Sequence, residues 1–322
     1  MMSHPQLAIV IVNYRTANLT IDCLRSLDHQ ARALRARVFI ADNQSGDDSP
    51  KRIGDAIAAN GWSDWAMMMP LERNGGFAYG NNAAVKSLLR QDHPPDYILL
   101  LNPDTIAREG ALAELIQFME THPHAGIAGS RLEDPDGTAQ RSAFRFHTIA
   151  SEFEGGIRLS VVSRLLNKKL VAPPVSESAC PTQWLAGASM IVRRKVFEQI
   201  GLMDEAYFMY FEEVDFCLRS ARAGWQCWYV PASRVVHLVG QASGVTDPRL
   251  RKRRPAYWFE SRRRYFVKNH GAMYALLADA AWAGGFALWR VRRFLQRRQD
   301  TDPPKLLGDF LRHSVFVRGF AP

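Results

Sequence analysis

Cysteine is scarce in this chain and never falls in a CxxC spacing: Cys23, Cys180, Cys217 and Cys227 stand apart among 322 residues. That excludes the usual zinc frameworks and a disulfide scaffold, and reduced core thiols in a cytosolic protein are expected instead. No GxGxxG and no P-loop lysine occurs, which removes the usual nucleotide fingerprints. The apolar run Leu7–Val12 ends at Asn13 after six residues, too short for the h-region of a leader, so none is expected. The longest apolar segment, Ala272–Trp289, carries Asp279 and falls short of the about 20 residues a spanning helix needs, so an interfacial helix is expected there. Repeats and low-complexity linkers are absent. Acid is missing from parts of the C-terminal third. Arg249–Arg264 contains Glu260 alone against eight Arg or Lys, and Arg290–Arg298 has none.

Hydrophobic content of 47% and charged content of 23% are ordinary for a globular chain, and the length suits one large or two modest domains. The net charge of +9 gathers in a basic tail, which points to an anionic surface, phospholipid or nucleic acid. Apolar patterns alternate from the start. Leu7–Val12, Val38–Ala41, Trp65–Met69 and Tyr97–Leu101 read as strands; Leu19–Leu27, Ile53–Ala59, Gly80–Leu89 and Glu109–Met119 read as helices. That rhythm predicts an α/β fold with a mostly parallel, doubly wound sheet. Past Gly126, Ile127–Leu132 and the turn Asp134–Gly137 suggest antiparallel additions. Trp184–Val192, Trp225–Val230 and Val235–Leu238 read as strands, Arg194–Ile200 and Glu212–Ala223 as helices, while 142–182 gives no clear pattern.

Chemistry concentrates in a few stretches. Tyr97–Thr105 reads YILLLNPDT: a buried strand stopped by Pro103, with Asp104 just past its carboxyl end. In open α/β sheets ligands bind at that edge, and an acid beside an amide suits a hard cation held with a nucleotide diphosphate; an ordinary Asn/Pro/Asp turn is the plain alternative. Asp42 ends the second strand, as an Asx turn with Asn43 and Ser45 or as an acceptor for a base or ribose. The loop Asn74–Asn82 is rich in glycine and asparagine and opens a helix, either as a turn with a cap or as a close backbone approach to a nucleotide. Tyr207–Phe211 precedes Glu212, Glu213 and Asp215 in the first turn of a helix. Complementing the helix dipole explains one or two acids, whereas an apolar wall beside paired carboxylates makes a general base. His237 follows a late strand, as a structural imidazole or a metal ligand.

Taken in order, Ile9–Tyr14, Ala41–Ser45, Asn74–Asn81, Leu101–Asp104, Trp184–Ala188, Met203–Glu205 with Phe208–Asp215, and His237 resemble family 2 glycosyltransferases of the GT-A fold, in particular a rhamnosyltransferase-like subgroup. The likeness runs over roughly residues 7–245. It implies an inverting, metal-dependent hexosyltransferase, with dTDP-rhamnose as the expected donor and a saccharide or lipid-linked saccharide of cell-surface polysaccharide assembly as acceptor. It assigns Asn13, Tyr14, Asp42, Asn74, Gly75, Gly76 and Asn102 to the donor and Trp184 and Gly187 to the acceptor. Asp104 and His237 fall to a divalent metal, Mg²⁺ or Mn²⁺, and Glu213 to the catalytic base with Glu212 beside it. Two departures stand out: Asn102 replaces the first Asp of the metal motif in many relatives, and Glu213 replaces an Asp base. The implied organisation is a catalytic domain at 1–245 and a basic helical extension at 246–322, the latter holding the protein peripherally at the inner face of the cytoplasmic membrane. Arg249–Arg254, Arg262–Arg264 and Arg290–Arg298, with Trp258, Trp282, Phe286 and Trp289, are expected to make that contact. A polyprenyl-phosphate or other hexosyl transferase of the same fold is one alternative. A basic nucleic-acid-binding protein is another, disfavoured because no such motif is present, so no nucleic-acid partner is expected.

Overall fold

The computed structural model describes residues 6–238 and 252–321. The expected boundary at 245/246, and Arg249 and Arg251 of the basic run, lie outside the described residues. The first half alternates as the apolar runs dictate: β1 (Leu7–Asn13), α1 (Ala17–Leu34), β2 (Arg37–Asp42), α2 (Ser49–Ala59), β3 (Ala66–Pro70), α3 (Gly76–Leu89) and β4 (Tyr97–Leu101). Strands β1 and β4 are apolar on both faces because helices cover both sides of the sheet. A short β5 (Thr105–Ala107), α4 (Ala111–Thr121) and β6 (Ala125–Glu133) follow. The unpatterned stretch contains β7 (Ala143–Phe144), α5 (Ile149–Ile157), α6 (Ser160–Leu165) and β8 (Cys180–Thr182). The chain continues with β9 (Trp184–Leu185), β10 (Ser189–Arg193), α7 (Arg194–Ile200), α8 (Glu212–Arg222) and β11 (Gln226–His237).

These strands form one nine-stranded sheet in the order β3-β2-β1-β4-β10-β6-β11-β5, with β8 beside β11, and β7 pairs separately with β9. Strands β3, β2, β1 and β4 are parallel. The antiparallel insertion is β10, which opposes both β4 and β6. Strand β6 therefore runs with the parallel set, contrary to the expectation for Ile127–Leu132. The single strand expected over Trp184–Val192 is instead two, broken at Ala186–Ala188, where the Asn102 N–H donates to the Ala188 carbonyl (3.0 Å). The two late strands are one. Strand β11 keeps pairing with β6 across a register shift between Val230 and Arg234, where Pro231 cannot donate to the ladder.

The C-terminal helices α9 (Ala256–His270), α10 (Ala272–Leu295), α11 (Leu306–His313) and α12 (Val315–Arg318) share a core with this body: Tyr265, Phe266, Ala275, Ala278 and Val315 pack with Val214, Phe216 and Tyr207. Helices α5 and α10 touch backbone to backbone, because a Cβ on Gly156 or Gly285 would lie 2.6–2.8 Å from the opposing carbonyl oxygen. Several residues expected at a membrane are used inside instead. Arg262 is 3% exposed, donates to Glu152 (2.7 and 3.0 Å) and is paired with Asp279. Although burial opposes it, the Arg262 charge and a hydrogen bond from His147 hold Glu152 down at about 2. Arg264 binds Asp204 (2.7 Å), Arg253 binds Asp309, Arg290 and Arg293 bind Asp300, and Phe286 is 1% exposed. The buried Arg262 is therefore not open to a lipid headgroup, whereas Arg253 and Arg290 keep much of their side chains exposed.

Candidate active site

The parallel strands deliver their polar ends to one edge of the sheet. Asn13 at the end of β1 and Asp42 at the end of β2 are register partners, both buried. Asn13 Nδ2 donates to Asp42 Oδ1 (2.6 Å) and Ser45 Oγ (3.2 Å), and its Oδ1 accepts from the Thr16 (2.9 Å) and Thr20 (3.0 Å) hydroxyls. Asp42 also accepts from the Ser45 amide (3.0 Å) and hydroxyl (2.6 Å). The Asx turn at Asp42 is therefore real, and it forms the wall of the edge. Tyr14, one residue on, is exposed, with the Arg15 guanidinium 5.1 Å from its ring centroid.

Asn43 ties this wall to the glycine-rich loop. Its Nδ2 donates to Asn74 Oδ1 (3.0 Å) and the Gly76 carbonyl (3.0 Å), and the Gly75 N–H reaches its Oδ1 at 3.4 Å. The loop is latched in turn to the aromatic run. Gly76 has φ +85°, a Cβ on it would stand 1.9 Å from the Phe208 carbonyl oxygen, and the Phe77 N–H donates to that oxygen (3.0 Å). Only glycine permits so close a pass. Asn82 adds a second tie, donating to the Met203 carbonyl (2.8 Å) and Glu205 (3.0 Å) and accepting from the Met203 N–H (3.0 Å).

Beyond Phe208 the chain is strained. Tyr210 (φ +70°) and Phe211 (φ +69°) are both left-handed, at a cost of about 1–2 kcal/mol each. That turn starts α8 with Glu212 and Glu213. Glu212 is 4% exposed, and Oε2 of each carboxylate is buried without a hydrogen bond among the described residues. Burial, with Glu213 beside it, pushes Glu212 well above the usual carboxylate range, and burial pushes Glu213 up to about 7. The pair is thus built to hold and release a proton near neutral pH. The third acid has another task. Asp215 is wholly buried and accepts from Arg219 (2.9 Å), Lys268 (2.9 Å), Asn269 (2.8 Å) and Tyr207 (3.3 Å). Lys268 and Arg264 also bind Asp204, holding it down at about 2 against its burial. Helix α9 therefore clamps the segment that carries the acid pair.

At the end of β4, Asp104 is 2% exposed with Oδ1 3.5 Å from His237 Nε2. Strand pairing brings them together, since His237 lies opposite Thr105 in the β11–β5 ladder. Asn102 Oδ1 is buried and accepts no hydrogen bond among the described residues. A carboxylate, an imidazole and an amide oxygen that accepts no hydrogen bond are donors that fit a hard divalent cation. Among the described residues there is no cluster of three or more His, Cys, Asp or Glu side chains suited to a metal. Gly187 sits beside the glycine loop, where an added Cβ would meet the Phe77 ring at 3.2 Å. Trp184 is 9% exposed, donates its indole N–H to the Arg145 carbonyl (2.8 Å) and stacks on Phe144 at 4.3 Å. It shapes a wall more than it offers an open face.

The structure thus brings Asn13, Asp42, Asn74, Gly75, Gly76, Asn102, Asp104, Gly187 and His237 to one edge, with Glu212 and Glu213 joined to it through Phe208. Sequence reasoning gave Asn82, Asp204 and Lys268 no role, and Asn43 only a place in a turn. The asparagine density of 74–82 was a signal for Asn82, but nothing local marked Lys268.

The model of the family described as "Glycosyltransferase like family 2" matches residues 4–268. Among characterised proteins, the chain is 28% identical over 277 residues to the N-acetylglucosaminyl-diphospho-decaprenol L-rhamnosyltransferase of Mycobacterium tuberculosis, covering 81% of each. It is 32% identical over 164 residues to rhamnosyltransferase WbbL of Escherichia coli, covering 50% of this chain and 60% of that one. Among solved structures it resembles mannosyltransferase PcManGT from Pyrobaculum calidifontis, determined with GDP-Man and Mn²⁺, at a TM-score of 0.59 and 14% identity over 99% of this chain and 88% of that one. That likeness concerns the fold, which is GT-A.

Proposed function

This chain belongs to glycosyltransferase family 2, and from that premise we propose that it transfers L-rhamnose from a nucleoside diphosphate to a saccharide or lipid-linked saccharide acceptor, inverting the anomeric carbon. The choice of sugar and acceptor follows the named activities of the relatives. The observation that carries the mechanism is the Glu212–Glu213 pair, the first buried and the second half-buried, latched by Phe208 to the loop at the donor edge. Glu213, unprotonated above about pH 7, accepts the proton of the acceptor hydroxyl. As the acceptor oxygen bonds to the anomeric carbon, the bond to the diphosphate oxygen breaks and its electron pair leaves with the diphosphate. Glu212 keeps its proton and so does not compete with Glu213 for charge. Asp104 and His237, with Asn102, would hold a Mg²⁺ or Mn²⁺ ion, which offsets the charge on the departing diphosphate. Asn13, Asp42 and the Asn74–Gly76 loop shape the donor pocket, with the base and ribose lying against backbone and Tyr14. A panel of nucleotide sugars tests the reading: dTDP-rhamnose should bind and be consumed with acceptor present, and absence of binding by every nucleotide sugar would refute it.

A membrane-surface location at the inner leaflet, with 246–322 as the anchoring part, is a second reading with its own observation. No described helix is long and apolar enough to cross a membrane. Helix α10 nevertheless shows one continuous exposed apolar face, Met273, Leu277, Leu288, Val291, Phe294 and Leu295, ending beside exposed Arg297 and Arg298. An apolar stripe with arginines at its end matches an anionic phospholipid leaflet, with the helix lying in the headgroup plane. The contact is therefore placed on this face rather than on Arg262–Arg264.

A further inference from the structure

A second cavity, of about 460 Å³, opens on the α9 side of the acid pair, between the 141–172 segment and helices α9 and α10. The donor edge does not account for it. Phe211, the residue before Glu212, lines it, and the Tyr210 phenol lies in the electrostatic reach of Arg254 as well as of Glu212 and Glu213. Its lining is of two kinds. Arg141, Arg158 and Arg254 supply positive charge, while Trp258, Trp282 and Leu170 supply apolar surface. Arg254 is exposed, its guanidinium lies 4.3 Å from the Trp258 ring centroid, and no acid among the described residues pairs with it. Arg141 is likewise exposed and has no acid partner there. Arg158 is bound to Asp302 (2.5 Å). The lining also holds two acids. Glu152 is held by Arg262, and Glu154 accepts from the Ser163 hydroxyl (2.6 Å). Arg254 on Trp258, with Arg141 in the same lining and neither paired with an acid among the described residues, calls for an anion with an apolar portion.

We propose that this cavity receives the diphosphate of a lipid-linked acceptor, with Arg141 and Arg254 meeting its phosphates and Trp258 and Trp282 the first units of its lipid. This deepens the transferase reading and rests on it. A saccharide carried on that diphosphate would extend past Phe211 toward Glu213, while the donor diphosphate keeps to the Asp104 edge. Arg292 on α10 donates to the carbonyls of Ile157 (3.1 Å) and Arg158 (2.7 Å), which ties the end of α10 to the segment that carries Arg158.

The test is a titration of the full chain with farnesyl diphosphate, followed by tryptophan fluorescence, with dTDP and Mg²⁺ saturating so that the donor site is filled. Wild type should bind the probe, and Arg141→Ala and Arg254→Ala should each weaken binding about 10-fold. Arg254→Lys should recover part of the loss, and farnesol or inorganic pyrophosphate alone should bind at least about 10-fold more weakly than the probe. Unchanged binding by both alanine variants would overturn the proposal. Vesicles containing phosphatidylglycerol separate the two sources of phosphate. Wild-type vesicle binding by the variants supports the acceptor site, whereas loss of vesicle binding with farnesyl diphosphate affinity intact assigns the arginines to bulk headgroups and overturns it. The two readings also fail differently. If the transferase reading alone is wrong, no acceptor is glycosylated while probe binding still depends on Arg141 and Arg254. If the cavity is wrong, both variants transfer sugar to a lipid-diphosphate acceptor with an unchanged acceptor KM.

Discussion

Gly76→Ala tests the latch between the donor loop and the acid helix. The added Cβ would stand 1.9 Å from the Phe208 carbonyl oxygen, roughly 1.5 Å short of ordinary contact at 3.4 Å, and φ +85° is itself unfavourable for alanine. The left-handed conformation costs about 1–2 kcal/mol. Losing the Phe77–Phe208 hydrogen bond costs about 1 kcal/mol more. A local destabilisation of about 2–3 kcal/mol follows, read as a fall in Tm of about 5 °C. The effect on turnover is larger. Displacing Phe208 moves the strained turn at Tyr210–Phe211, and a shift of about 1 Å in a reacting group costs about 100-fold. Gly54→Ala is the control: it sits inside α2 with nothing within 4 Å of an added Cβ, so it should stabilise by up to about 1 kcal/mol and leave turnover unchanged. The assay pairs thermal melts with steady-state kcat. Wild-type Tm and kcat in Gly76→Ala would refute the latch.

Three other expectations follow from the same geometry. Glu213→Gln should lower kcat about 10²–10⁴-fold with donor affinity little changed, and wild-type kcat should rise with pH through about 7, the value to which burial lifts Glu213; an inactive Glu212→Gln beside an active Glu213→Gln would exchange their roles. The same shift has a sign for stability: a carboxyl whose folded value is raised holds its proton more tightly when folded, so it contributes fully below about 4.5 and that contribution is lost as pH climbs to about 7. Urea melts of Glu213→Gln should therefore show a flatter pH dependence over that window than wild type. Asp104→Ala, or a chelator on the wild type, should abolish transfer, and full activity in excess chelator would remove the metal from the account. Phe294→Ser with Leu295→Ser should reduce flotation with anionic vesicles, and binding unaffected by these changes would move the membrane contact off α10.

Much of this was legible in the chain. Continuous apolar runs such as Leu7–Val12 and Ile98–Leu101 leave no reading but buried strands, and the residues that end them fall at the sheet's ligand-binding edge. That is why Asp42 and Asp104 could be picked out singly, whereas Asn13 gained a role only through the family resemblance. What was not legible depends on partners far away in sequence. Arg262 looked like a surface charge because Glu152 lies 110 residues earlier, and no local pattern marks a buried ion pair. The reversal at β10 was hidden because a short strand such as Ser189–Arg193, with three apolar residues at its centre, reads alike in either direction. Asn43 was visible only as part of a turn, although its side chain joins two loops that are 31 residues apart. Trp184 read as an acceptor platform, but its indole N–H and one face are engaged within the fold.

The central claim is that Glu213 serves as the base in an inverting transfer. Purified wild-type protein and Glu213→Gln, given dTDP-rhamnose, Mg²⁺ and a short lipid-diphosphate saccharide acceptor, would be compared by NMR of the product's anomeric proton and carbon. The account predicts a rhamnosyl product of inverted configuration with the wild type, and at least about 100-fold less of it with the variant. A product of retained configuration, or equal yield from both proteins, would contradict it.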